Sequence, residues 1–151
     1  MVETQAPNQK TLDAKSMLQE CIENCTRCHT VCVETFNYSL WLGGRYNESV
    51  HLRLLLDCAE ICQTSANFML RGSDLHREVC RACAVICENC AKDCERYTVP
   101  GEGAGAPMSR HSGPSGVSKE DGDSQLKYCA EVCRQCAQSC REMSEMRMSP
   151  A

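Results

Sequence analysis

Small apolar positions in this chain recur at intervals that alternate four and three, and they are mostly cysteines. Cys21, Cys25, Cys28 and Cys32 form one run, Cys58 and Cys62 a second, Cys80, Cys83, Cys87, Cys90 and Cys94 a third, and Cys129, Cys133, Cys136 and Cys140 a fourth. Polar residues such as Glu23, Asn24, Arg27, Glu88, Lys92, Arg134 and Gln135 occupy the positions between and are expected to face water. At about 100° per residue each run falls within an arc of roughly 60–80°, which makes it one stripe on one helix.

Punctuation divides the chain into four helices. The first is expected over 11–42, capped by Thr11 or Asp13 and stopped at Gly43-Gly44; the second, over 48–71, follows Asn47 and ends before Gly72. Ser73 or Asp74, with Glu78 shortly after, can cap a third over 74–97, and a fourth runs over 123–146. Between the last two, 98–122 holds repeated Gly and Pro without apolar periodicity and is expected to be a flexible loop. Two short connections and one long one suit an all-α fold, an antiparallel up-down-up-down four-helix bundle with a Cys-lined core, as a single domain spanning 1–151. The unit Cys-Ala-x-x-Cys-x-x-Cys-Ala-x-x-Cys begins at Cys83 and again at Cys129, so the bundle reads as built from a repeated helical piece.

Composition makes sulfur the core material. The chain of 151 residues has 15 Cys but only 1 Trp, 4 Tyr and 2 Phe. Leu12, Leu18, Leu55, Ile61, Leu75, Val79, Ile86, Leu126 and Val132 are expected to pack beside the thiols. Lys plus Arg is 16 and Asp plus Glu 20, a formal net charge of -4 with no basic cluster, which argues against nucleic acid as a partner. No apolar run approaches the roughly 18 residues of a membrane span, and Met1 to Pro7 has neither a basic start nor an apolar core. The expectation is a cytoplasmic protein without membrane contact.

Thiols stacked on one helical stripe cannot readily bond to one another, and an odd count excludes complete intramolecular pairing, so a disulfide framework fits poorly. Packing alone is also a weak reason for so many oxidisable residues, because Leu or Ala fills a seam without that chemistry. Soft-metal binding is the better reason. Structural zinc sites bring Cys-x2-Cys knuckles together from loops, whereas Cys25/Cys28, Cys80/Cys83, Cys87/Cys90 and Cys133/Cys136 lie inside continuous helices. No Cys is followed by Pro, as a bacterial ferredoxin cluster motif requires. Cu(I) selects thiolates and tolerates low coordination, and one thiolate cancels the charge of one cuprous ion. Multiple Cu(I) ions are therefore the expected cargo, with zinc or a copper-dependent redox enzyme as the alternative readings.

The segment from His51 to Met69, with Asp57-Cys58-Ala59-Glu60-Ile61-Cys62 within it, followed by His76-Arg77-Glu78-Val79-Cys80-Arg81-Ala82-Cys83 and the repeated Cys units, resembles the bacterial copper storage proteins. The likeness spans roughly residues 15 to 97 and 126 to 143. It implies a Cys-lined bundle holding many cuprous ions for sequestration, homeostasis and detoxification, often a homotetramer, with cytosolic members lacking a twin-arginine signal. Copper chaperones or apo-cuproenzymes are the implied recipients. The long insertion before the last helix and a second helix with only two Cys depart from the family pattern.

Counting residues from the turns gives approximate heights at about 1.5 Å per residue. Cys32, Cys58, Cys87 and Cys136 are expected at one level and Cys28, Cys62, Cys83 and Cys140 at the next. Above them Cys90, Cys94, Cys129 and Cys133 would face Leu54, Leu55 and His51; below, Cys21, Cys25 and Cys80 would meet Ser65, Met17, Met69, Met143 and His76. All fifteen Cys, with His51, His76, Met17, Met69 and Met143, are the candidate metal ligands. His29 lies off the stripe and His111 in the loop, so both are expected on the surface. No base and nucleophile pair suggests an enzyme, and burial raises thiol pKa.

Overall fold

The computed structural model describes residues 5–98 and 119–146. Four helices make up these residues: α1 (Gln9–Leu42), α2 (Ser49–Leu70), α3 (His76–Arg96) and α4 (Lys119–Glu145), with a 3-10 turn (Gly44–Asn47) before α2. The expected loop 98–122 lies outside the described residues from 99 to 118, and His111 with it.

α1 packs on α2 and α4, and α3 on the same two, while the diagonal pairs, α1 with α3 and α2 with α4, keep their backbones apart and meet through thiols in the middle. The four axes therefore stand at the corners of a square, which leaves one channel for side chains down the middle. Sulfur pairs show the directions. Cys21, Cys25, Cys28 and Cys32 meet Cys140, Cys136, Cys133 and Cys129 in that order, so α1 and α4 are antiparallel. Cys58 meets Cys87 and Cys62 meets Cys83, which makes α2 and α3 antiparallel too.

Local chemistry explains the ends. Asn8 caps α1 by accepting the Thr11 amide at 2.9 Å, so Thr11 receives the cap rather than supplying it. α2 has no side-chain cap, and Asn47 belongs to the 3-10 turn that precedes it. Neither Ser73 nor Asp74 caps α3 as expected: Leu75 holds the N-cap position without a side-chain cap, and Ser73 organises the turn before it, its hydroxyl accepting the Leu75 amide and its carbonyl the His76 amide. Gly43 (φ 64°) and Gly72 (φ 65°) take left-handed conformations at the ends of α1 and α2, where a Cβ would be strained.

Every cysteine is fully buried. Ala59, Ala84, Ala91, Ala130 and Ala137 each follow a stripe cysteine and are also buried, and these small flanks let the backbones approach closely enough for thiols to meet across the channel. Leu55, Leu126 and Val132 are buried and Leu18, Ile61 and Ile86 pack against the core, but Leu12 and Leu75 are exposed. Leu12 lies on the first turns of α1, which project past the other helices, and Leu75 sits in the α2–α3 turn.

Candidate metal centre

The stripes converge as a continuous column of sulfur. Neighbouring Sγ atoms stand 3.4–3.9 Å apart, the shortest being Cys25–Cys140 at 3.4 Å and Cys62–Cys87 at 3.5 Å. Four sets of four have all their Sγ atoms within 4.8 Å: Cys32/Cys90/Cys129/Cys133, Cys28/Cys32/Cys58/Cys133, Cys28/Cys62/Cys87/Cys136 and Cys25/Cys83/Cys136/Cys140. A set of three, Cys21/Cys80/Cys140, ends the column. Successive sets share members, so these are overlapping stations of one column rather than separate cages. Every cysteine except Cys94, which stands above them, belongs to a set. All are free thiols.

The height order needs one correction. α2 and α3 mesh as expected, but Cys136 pairs with Cys25 and Cys62, and Cys140 with Cys21 and Cys25, well below their expected places. Cys129 and Cys133 are what stand beside Cys32. α4 is thus displaced by one heptad, about 10 Å at ~1.5 Å per residue. A seam of period seven meshes equally well after a slip of seven, so the stripe alone cannot set register. Contacts above the thiols set it: Gly122 packs so closely on Leu42 that a Cβ there would overlap Leu42 Cδ1, and Tyr46 donates to Asp123 Oδ1 at 2.6 Å. α4 also begins four residues before the expected start.

Thiols in the column act on one another. Hydrogen bonding to Cys136, then to other thiols, together with burial, holds Cys62 and Cys87 well above the ordinary thiol range; Cys129 does the same for Cys94 and Cys133. Cys28 is shifted the other way, first by Cys133, because several neighbours can donate to its thiolate. Burial therefore does not raise all fifteen alike, as the sequence suggested. A thiolate surrounded by thiols is stabilised, and its neighbours become the donors.

At the upper end sulfur gives way to oxygen and nitrogen. The α1 stripe continues as Thr35 and Ser39, the α2 stripe as Leu55 and His51, and Tyr97 follows Cys94 just past the end of α3; all are buried. His51 is fully enclosed, with Nδ1 2.5 Å from Asp93 Oδ2 and Nε2 2.9 Å from Ser39 Oγ. A carboxylate only accepts, so Nδ1 carries a proton. Asp93 Oδ1 accepts from Arg96 at 2.6 Å, and the His51 ring lies 4.6 Å from that of Tyr97. Tyr46 stacks on Tyr97, and Arg45 lies 5.0 Å from the centre of each ring. His51 thus has both nitrogens engaged by protein partners here. Sequence reasoning passed over Asp93; its spacing of three from Cys90, on the thiol side of α3, is the signal that was available.

The lower end differs. One turn beyond the three-thiol set stand Met17 on α1, Met69 on α2, His76 on α3 and Met143 on α4; Met69, His76 and Met143 are buried and Met17 is half-buried. His76 Nδ1 lies 2.8 Å from the Ser73 carbonyl. His76 Nε2 and the Ser65 hydroxyl are buried without a hydrogen-bond partner. His29, expected on the surface, is half-buried and bridges α1 to α2 through Nδ1 to the Ala59 carbonyl at 2.8 Å.

Residues 13–115 match the family model described as copper storage protein. Among solved structures, the Nmul_A1745 protein from Nitrosospira multiformis is 39% identical with TM-score 0.66, the match covering 86% of this chain and 96% of that one. The Cu(I)-bound copper storage protein BsCsp3, from Bacillus subtilis, is 27% identical with TM-score 0.63, over 85% of this chain and 98% of that one. A cytosolic copper storage protein from Streptomyces lividans, with five coppers, is 25% identical with TM-score 0.62, over 87% and 95%.

Proposed function

The chain belongs to the copper storage protein family, and from that premise we propose that it binds and stores many Cu(I) ions on its core cysteines. The observation that carries this is the overlap of the sulfur sets: each station shares thiols with the next, which suits bridging thiolates and ions of low coordination number. A tetrahedral divalent ion needs its own four ligands, and two neighbouring sets cannot both supply them. One thiolate per cuprous ion leaves the column neutral, which a core without buried Lys or Arg among the described residues requires. The role is storage rather than catalysis. The metal is the cargo.

Anaerobic loading of the reduced protein followed by native mass spectrometry tests the reading. Copper should reach on the order of one ion per Cys, and a plateau at about one to three would end it. Zinc should bind in far smaller number.

Copper exchange belongs at the lower end. Met17, Met69, Met143 and His76 are neutral donors that hold Cu(I) more weakly than thiolate and so can pass ions inward. The unpartnered Nε2 of His76 supports this, and the engaged nitrogens of His51 argue against the upper end. His51 is accordingly the weakest of the candidate ligands. No described helix is long and apolar enough to cross a membrane. By likeness to the S. lividans protein the store is cytoplasmic, a homotetramer by family pattern, and delivers to copper chaperones or apo-cuproenzymes.

A further inference from the structure

The set that ends the column differs from the four above it in composition. Cys21, Cys80 and Cys140 come from α1, α3 and α4, with Cys21 and Cys140 3.8 Å apart and all three Sγ atoms within 4.8 Å. α2 forms the fourth side. Because α2 and α3 are antiparallel and Cys62 stands 3.7 Å from Cys83, Ser65 comes to the height of Cys80, each being three residues further down its helix. Ser65 is fully buried and its hydroxyl has no partner. Three thiols thus face a side that has no sulfur.

Charge selects what fits there. Three thiolates around a monovalent or divalent ion leave net negative charge, and no buried Lys or Arg among the described residues offsets it. Three thiolates around a trivalent centre leave none. Trivalent arsenic and antimony also carry a lone pair, so they take three ligands in a pyramid and leave the fourth direction free.

We propose that Cys21, Cys80 and Cys140 form a binding site for a trivalent metalloid oxyacid, such as arsenous acid, As(OH)3. Each S–H gives its proton to a departing hydroxyl; three As–O bonds break, three As–S bonds form and three waters leave. Arsenic remains trivalent, so neither oxidant nor reductant is needed. The incoming acid is uncharged, and His76 Nε2, buried and unpartnered one turn below Cys80, can accept a hydrogen bond from one of its O–H groups on the way. This site stands on its own geometry and does not depend on copper storage.

The test titrates the reduced, metal-free, full-length protein with arsenite without oxygen, reading native mass and arsenic X-ray absorption. A first adduct of one arsenic per chain, with three sulfur neighbours and no oxygen, is expected. Cys80→Ser and Cys140→Ser should lose this first adduct, while Cys90→Ser, at the far end, should keep it. No adduct, retained As–O bonds, or a first adduct that survives both lower-end substitutions would overturn the site. The absorption measurement uses the unaltered chain and is independent of how any variant folds. Copper stoichiometry from the same preparation separates failure to hold arsenite from failure to store copper.

Discussion

The two ends of the sulfur column solve the same problem, closing a four-sided channel, in opposite ways. Above, Ser39, His51, Asp93 and Arg96 satisfy one another across α1, α2 and α3, and Tyr46 ties the 3-10 turn to α4 through Asp123. Below, Met17, Met69, His76 and Met143 follow the last thiols along their four helices, and the Ser65 hydroxyl and His76 Nε2 are left unpartnered. Buried polar groups without partners cost free energy, commonly about 1–3 kcal/mol each. Retaining two at one end and none in the network at the other divides the labour: one end holds helices together, the other keeps donors available.

Changing Met17, Met69, Met143 and His76 together to Leu should break this division most visibly. Loading by a soluble Cu(I) complex and removal by a strong chelator should both slow, while final capacity stays within a few ions of the parent. If the weak donors lower the entry barrier by about 1.4 kcal/mol, exchange slows roughly tenfold. Stopped-flow loading would decide it. Unchanged rates in that variant, with slowing in His51→Leu, would move the port to the upper end.

Stability should show the reverse asymmetry. His51→Leu leaves the buried Asp93 carboxylate without its Nδ1–H donor and Ser39 without its acceptor, and should lower unfolding free energy by about 2–3 kcal/mol. His76→Leu gives up only the Nδ1 contact to Ser73 and removes an unpartnered nitrogen, so its cost should stay below about 1 kcal/mol. Urea denaturation of the metal-free variants makes the comparison. Equal losses would mean that the upper network does not latch the helices.

A smaller effect concerns the metal-free state. Thiols that are fully buried beside Ala, Leu55 and Val132 already pack as small apolar groups, so the empty protein should be as helical as the loaded one. Zinc fingers, by contrast, fold only with metal. Far-ultraviolet circular dichroism should change little on loading, and a coil spectrum before copper would refute the packing argument.

How far these ends could be read from the chain depended on the period of each feature. The thiol stripes are long and regular, so the four helices, their antiparallel order and the burial of all fifteen Cys followed from spacing. Met17, Met69, Met143 and His76 lie on continuations of those stripes, one on each helix. Register of α4 was hidden because a heptad stripe is unchanged by a slip of one heptad, and what breaks the tie, Gly122 on Leu42 and Tyr46 to Asp123, lies outside the stripe. The His51–Asp93 pair was missed for a related reason. A polar residue next to a thiol stripe reads as solvated unless its partner on another helix is known, and that partner sits at a height which only the assembled bundle defines.

Residues 99–118, the part of the expected loop that precedes α4, carry the smallest expected effect, and a null result there is informative. Their only soft donor is Met108, and their Gly and Pro content gives no periodic face to pack. The upper end that they adjoin is already closed by side chains from α1, α2 and α3, which leaves no ligand position for the segment to supply. Replacing it with a short Gly/Ser turn should therefore leave copper stoichiometry unchanged. Register is the one property at risk, since a short turn could pull α4 up by a heptad, the very slip that the thiol stripe tolerates. Such a slip would separate Cys140 from Cys21 and Asp123 from Tyr46, lowering stability while most thiols still met others. Native mass spectrometry on that variant should give the parent's copper count; a loss of several ions with unchanged stability would mean that the segment itself helps to enclose the upper end.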